Sequence, residues 1–292
     1  MKNEGRVVYR GFDQAALDAE YNLRAAVPEH GAYFARWAAA SAAVRRGRPC
    51  RLDLAYGPKP AQRLDLFDGP RRPAPLLVFF HGGFWRAMDK SDFSFIAPAF
   101  QEAGAAVAVV NYTLAPAASI TEMVAESRAA LGWLREHAAA LGIDLRRITL
   151  AGHSAGGHLA AMAMLEDAGA RPPLWGLCAV SGVFDLEPIR LSFHNEVLGL
   201  AAAEADALSP TRRLAAGDGG VPGRLLLAVG GGETAEFQRQ QAEFAAAWRR
   251  RCGPPTILAQ PGEDHFSIMD RLADGESPLF AALAGLLGGS GP

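Results

Sequence analysis

The chain has 292 residues, half of them hydrophobic, and a formal net charge of −2 at pH 7. That length and apolar content suffice for one large α/β domain with a sizeable core, and the balanced charge offers no field for nucleic acid or an anionic membrane. No apolar run approaches the roughly 18 residues of a spanning helix. The start, MKNEGRVVYRGFD, has no apolar leader core, and Cys50, Cys178 and Cys252 show neither a disulfide framework nor metal spacing, so a reducing cytoplasm is the expected location.

Residues 13–46 are expected to form two helices. Phe12, Ala16, Leu17, Tyr21 and Leu23 give the first a loose apolar face, which Val27-Pro28 ends. Tyr33, Phe34, Trp37 and Val44 mark the second, closed by Gly47-Arg48-Pro49, and its aromatic stripe reads as packing. Residues 51–56 and 62–68 alternate around the Gly57-Pro58-Lys59-Pro60 turn, predicting an antiparallel hairpin at the sheet edge. Leu76 to Phe80 is continuously apolar, as in a central strand covered on both faces, and runs into His81-Gly82-Gly83-Phe84-Trp85. A helix over 93–103 and a buried strand over 106–110 follow. A long helix over 121–141 carries Met123, Val124, Ser127, Leu131 and Leu134 on one face. Ile148 to Ala151 is a further strand, and from Ser154 onward the pattern turns helical and alanine-rich, through His158 to Leu165. Strands over 174–180, 225–229 and 256–259 and helices over 235–251 and 278–287 complete the pattern. The alternation predicts an α/β fold with a mostly parallel central sheet of about eight strands and helices on both faces. Residues 1–50 would precede that sheet as helices, in a single domain. The stretch 181–221 breaks the rhythm with about forty residues, a length that marks a functional segment, and reads as a lid-like insertion or pocket wall. The Gly-rich end, 288–292, reads as a flexible tail.

Gly152-His153-Ser154-Ala155-Gly156 stands between a strand and a helix, the context of a Gly-x-Ser-x-Gly nucleophile elbow. Its glycines let strand and helix close on one another while Ser154 takes a strained backbone that lifts its hydroxyl clear. A serine hydroxyl needs a base, and the base needs orienting; the chain order for this arrangement is serine, acid, histidine. His265, in the Gly262-Glu263-Asp264-His265-Phe266 loop after the last sheet strand, is the expected base. His153 is expected to point away from the hydroxyl, and His158 to line the site or pack. His30, His137 and His194 read as surface or packing residues. Glu233 is the first carboxylate after the 225–229 strand and is the expected acid. Asp185 is the alternative acid, with anchoring of the insertion as its other reading; Asp264 adjoins the base and is set aside. Backbone N–H groups of Gly82, Gly83 and Ala155 are placed to meet a developing oxyanion. Phe84, Trp85, Tyr112, His158 and Phe184 are the candidate pocket walls. The histidines show no metal-ligand spacing, and the chemistry needs no cofactor.

Together these residues resemble the α/β-hydrolase superfamily, in the branch with an HGG oxyanion loop that includes hormone-sensitive-lipase-like esterases. The chain is more closely similar to the arylformamidase (kynurenine formamidase) group and its bacterial esterase-like relatives. The likeness spans most of the chain: Tyr21-Asn22, Val27-Pro28, Tyr56-Gly57, Leu64-Asp65-Leu66, HGGFW, Asn111-Tyr112, GHSAGGH, Ser181 to Leu186, Leu208-Ser209-Pro210, Glu233-x-x-Glu236-Phe237-x-x-Gln240 and Asp264-His265-Phe266. One departure is Glu233, where that group carries Asp; the longer side chain must retract to hold the same imidazole. The resemblance implies a serine hydrolase acting on a short carboxylic ester or an N-formyl aryl amide, without a metal. The implied partner is that small molecule, with no nucleic acid and no membrane; the oligomeric state, a homodimer included, is left open. A ligand-binding protein with a decayed triad is the non-enzymatic alternative, and the retention of Ser154, His265 and a carboxylate speaks against it.

Overall fold

Alternating and continuous apolar runs sort the strands into two kinds. In the computed structural model, which describes residues 6–167, 169–217 and 223–288, the alternating pair forms an antiparallel hairpin, β1 (Cys50–Ala55) and β2 (Arg63–Phe67). The remaining strands are β3 (Ala74–Phe80), β4 (Ala106–Val110), β5 (Ile143–His153), β6 (Gly176–Val180), β7 (Arg224–Gly230) and β8 (Thr256–Gln260). They lie in one eight-stranded sheet in the order β1-β2-β4-β3-β5-β6-β7-β8. β3 to β8 run parallel, and β2 joins them antiparallel to β4. The fold is that of an α/β-hydrolase.

Continuous apolar sequence corresponds to burial on both faces: every residue of β4 and β6 is buried, and β7 is buried from Leu225 onward. The register fixes where the functional loops emerge. Phe80 pairs with Gly152, His153 with Val180, Val180 with Ala228 and Gly230 with Gln260. The loops after β3, β5, β6, β7 and β8 therefore leave along one edge of the sheet. In open α/β sheets this carboxyl edge is where ligands bind.

The helices are α1 (Gln14–Tyr21), α2 (Leu23–Ala26), α3 (His30–Gly47), α4 (Ala97–Glu102), α5 (Ile120–Glu136), α6 (Ala138–Leu141), α7 (Ala155–Glu166), α8 (Glu187–Leu191), α9 (Asn195–Leu198), α10 (Ala202–Ala207), α11 (Pro210–Ala216), α12 (Ala235–Cys252), α13 (Ser267–Ala273) and α14 (Pro278–Leu286). The first expected helix is split at Asn22, whose side chain accepts the Ala25 N–H and starts a new turn. The 93–103 helix is shorter than expected. Asp89 caps a 3₁₀ turn at Lys90–Asp92, a second such turn follows, and α4 starts only at Ala97. The 121–141 helix breaks at His137, and α13 was not anticipated. Buried all round from Ala155 to Leu165, α7 packs on β3, β5 and β6. Its alanines and glycines let the helix lie close to the sheet.

The 181–221 insertion contributes α8 to α11 as a folded wall. The tail residues 289–292 and the insertion's last residues, 218–221, lie outside the described residues. Among the described residues no helix is long and apolar enough to cross a membrane.

Candidate active site

β5 ends where α7 begins, and the turn between them leaves no room for a side chain at Gly152 or Gly156. A Cβ on Gly156 would stand 2.0 Å from the Phe80 carbonyl oxygen. Ser154, at the apex, has φ +55° and ψ −123°, a conformation sparsely populated for residues with a side chain. Such a residue costs about 1–3 kcal/mol and persists because its surroundings enforce it. Here the Ser154 N–H is held by the Val180 carbonyl at 2.9 Å, and the helix starts at the next residue. The first-turn N–H groups of α7 thus lie beside the hydroxyl.

The loop after β3 is stacked directly on this turn. A Cβ on Gly82 would stand 3.0 Å from the His153 carbonyl oxygen and 3.2 Å from the Ser154 Cβ, so a side chain there would press on the elbow. His81 anchors the loop from beneath. Its Nε2–H donates to Asn111 Oδ1 at 3.0 Å, and the Tyr112 hydroxyl donates to the His81 carbonyl at 2.9 Å. The Asn111 amide is fixed in turn by donation to Asp89 and by the Lys90 N–H.

β7 and β8 bring the remaining pair together. His265, in the loop after β8, donates its Nδ1–H to Glu233 Oε2 at 2.6 Å. The other oxygen, Oε1, accepts the Ser181 hydroxyl at 2.5 Å and the Gly230 N–H at 2.7 Å. The glutamate side chain folds back onto the backbone three residues before it. Both side chains are buried, and Phe237 and Phe266 set their edges against the His265 ring. With Nδ1–H committed to a carboxylate, Nε2 is left as the basic nitrogen.

Ser154, His265 and Gly83 open on one cavity of about 500 Å³. Aromatic rings dominate its walls: Phe34 and Trp37 from α3, Phe84 after the HGG loop, Phe193 from the insertion and Phe266 beside the base. A serine at a strained turn and an imidazole oriented by a carboxylate thus share one aromatic-walled cavity.

A model of the family described as BD-FAE matches residues 64–172, which run from β2 through the HGG loop and the elbow. Kynurenine formamidase of Danio rerio is 30% identical over 82% of this chain and 82% of its own length. The chain belongs to the kynurenine formamidase family. The enzyme of the same name from Salmo salar is 29% identical, again with 82% of each chain covered. Among solved structures, a putative thioesterase from Silicibacter sp. superposes with a TM-score of 0.81 at 32% identity, covering 93% of this chain and 98% of that one. A thermophilic carboxylesterase from a metagenomic library, EstE1, shares the fold alone: TM-score 0.70 at 19% identity, over 91% of this chain and 98% of that one. The protein is thus a hydrolase of esterase and arylformamidase-like type.

In this formamidase-family chain, four of the five expected pocket walls lie off the cavity. Phe84 and Trp85 have positive φ values of 49° and 57°, and this left-handed pair sends Phe84 to the cavity and Trp85 into the core. Tyr112 is spent behind the HGG loop, its ring stacked on His81 at 4.5 Å. Phe184 stacks on Phe244 at 4.1 Å, away from the opening. His158 donates to the Leu208 carbonyl at 2.8 Å and meets Trp85 edge-on, tying α7 to the insertion; burial pushes its pKa down to about 4. Asp185 pairs with Tyr9 and Arg212, not with His265, and anchors the insertion. Asp264 caps the next turn through the Phe266 and Ser267 N–H groups.

Two histidines carry more than the sequence suggested. His153 faces the cavity and donates Nε2–H to the His265 carbonyl at 2.8 Å, joining the elbow to the base's own loop. Burial and the adjacent His265 ring hold it well below the usual histidine range. His194 is a buried cavity wall, stacked on Phe84 at 3.8 Å and donating to the Tyr21 carbonyl at 3.1 Å. Its adjacency to Phe193 in a segment read as a pocket wall was the available signal. Phe34 and Trp37, read as packing, pack and also face the cavity.

Proposed function

We propose that the protein is a serine hydrolase that cleaves small acyl groups, a formyl group on an aryl amine first among them, through Ser154, His265 and Glu233. Ser154 Oγ attacks the carbonyl carbon as its proton passes to His265 Nε2, and the N–H groups of Gly82, Gly83 and Ala155 receive the oxyanion. His265 returns the proton to the departing amine nitrogen or alcohol oxygen, and the C–N or C–O bond breaks. Water, deprotonated by the same nitrogen, then attacks the acyl-enzyme and releases the acid. Glu233 holds the neutral imidazole in the Nδ1–H tautomer and stabilises the imidazolium that forms when Nε2 takes the proton.

The observation that carries this reading is the 2.6 Å His265–Glu233 hydrogen bond, in a cavity shared with a serine held at φ +55°. The aromatic walls and the kynurenine formamidase relatives favour an aryl formamide. The solved relative described as a putative thioesterase favours a second reading, hydrolysis of short esters or thioesters. The test is kcat/KM for N-formyl-L-kynurenine beside p-nitrophenyl acetate and butyrate, with Ser154→Ala as the blank. Formamide turnover well above ester turnover is expected. Fast ester turnover with negligible formamide cleavage selects the second reading, and Ser154-independent turnover contradicts both.

A further inference from the structure

The cavity wall has a one-sided charge. Arg24, from α2, and Arg86, just after the HGG loop, both line it, and among the described residues no aspartate or glutamate does. Some arginines elsewhere are matched to acids, Arg45 and Arg135 among them, and others, such as Arg46 and Arg146, face solvent; what distinguishes Arg24 and Arg86 is their place on the cavity wall. Arg24 and Arg86 make no ion pair among the described residues. Each instead rests on an aromatic wall of the cavity, Arg24 over Phe34 at 5.7 Å and Arg86 over Phe193 at 5.8 Å. Asp18, behind this wall, is engaged with the Phe193 N–H and the Gln14 amide.

Two exposed guanidiniums on the wall of one cavity, each seated on an aromatic ring and with no acid of its own, form a receptor for an anion. A guanidinium offers carboxylate a planar, two-pronged set of donors, and ring contact from below limits the conformations it must give up. The same lining provides no carboxylate for a cation. We infer that Arg24 and Arg86 form an anion subsite, and that the preferred substrate carries a carboxylate without an accompanying ammonium on the part that fills the cavity. This rests on the proposed hydrolysis at Ser154 and adds the charge class of the substrate. A carboxylate draws on both arginines. An ammonium beside it meets the same two positive charges, so a zwitterionic substrate forfeits part of the gain.

Three matched probes separate these contributions: 4-(2-formamidophenyl)-4-oxobutanoate, which is a monoanion; its carboxamide, which is neutral; and its α-amino analogue, N-formyl-L-kynurenine, a zwitterion. With wild-type enzyme, kcat/KM should rank monoanion, zwitterion, carboxamide, with at least a tenfold step between the first and the last. In the Arg24→Gln, Arg86→Gln double variant the monoanion-to-carboxamide ratio should fall close to one. Added salt should shrink the wild-type ratio, because exposed charges are screened within about 10 Å at 0.1 M. The same probes titrated calorimetrically into Ser154→Ala report the subsite without chemistry, and the monoanion should again bind at least tenfold tighter than the carboxamide. Equal affinities there, or a ratio unmoved in the double variant, overturn the anion subsite. Tightest binding of the zwitterion overturns the exclusion of ammonium. Discriminating binding with no turnover of any probe would uphold the subsite and contradict the hydrolase reading.

Discussion

The floor and the roof of the cavity are built on different principles. The floor is made of strand ends: the HGG loop after β3, the elbow after β5, Ser181 after β6, Glu233 after β7 and His265 after β8, all set side by side by sheet register. The roof is assembled from pieces far apart in sequence, α1 to α3 and the 187–216 insertion, held by side-chain bonds. Tyr21 donates to Glu236 and accepts from Gln240, both at 2.8 Å, while Gln240 Oε1 receives the Phe184 and Asp185 N–H groups. A floor fixed by backbone pairing keeps reacting atoms in place. A roof fixed by side chains can vary from relative to relative without disturbing them. Chemistry should therefore reside in the floor and substrate choice in the roof.

The sharpest break between the two is at the acid. Glu233→Gln can still hold the ring but favours the wrong tautomer, and turnover should fall by roughly 10²–10⁴. Asp185→Asn, in the roof's anchoring network, should cost less than about tenfold in kcat, because that carboxylate meets Tyr9 and Arg212 and not the imidazole. Steady-state kinetics on both folded variants decide it: a larger loss in Asp185→Asn would move the acid to Asp185 and dissolve the distinction.

Tyr21→Phe tests the roof alone. It removes a buried hydroxyl that serves two partners, so stability should fall by about 1–3 kcal/mol. KM should rise severalfold while kcat holds within about a factor of three. A collapse of kcat with KM unchanged would mean that the roof also positions the reacting groups.

The contacts between roof and floor also carry a pH dependence. Burial drives His158 and His194, which tie the insertion to α7 and to α1, down to about 4 from an ordinary value near 6.5. A histidine whose folded pKa is depressed takes up its proton first in the unfolded chain. Stability is then full above about pH 6.5, declines as pH falls toward 4, and levels off below. Thermal melts should show Tm dropping through that window, and less steeply in His158→Asn. A Tm that rises on acidification would contradict the assignment.

The same division decides what could be read from sequence. The floor was legible because its signals are local: GHSAGGH between a strand and a helix, HGG after an apolar run, the first carboxylate after one strand and a histidine after the next. Chain order alone paired Glu233 with His265. The roof was not legible in this way. Trp85 and Phe84 are neighbours that diverge only because both adopt positive φ, which no hydrophobic pattern reports. His194 reaches the cavity through a bond to Tyr21, 173 residues away in sequence. The role of His153 is invisible in sequence because its partner is a carbonyl, that of His265, and backbone acceptors leave no trace in composition. Arg24 and Arg86 stand out only when the rest of the lining is known to lack acids.

The account turns on Ser154 being the group that the floor activates. Incubation of the folded protein with a fluorophosphonate, followed by intact-mass and peptide analysis, tests this directly. One adduct per chain on the peptide containing Ser154, absent in Ser154→Ala and much slower to form in Glu233→Gln, is the predicted result. A folded protein that takes no label, or takes it at another residue, would contradict the claim.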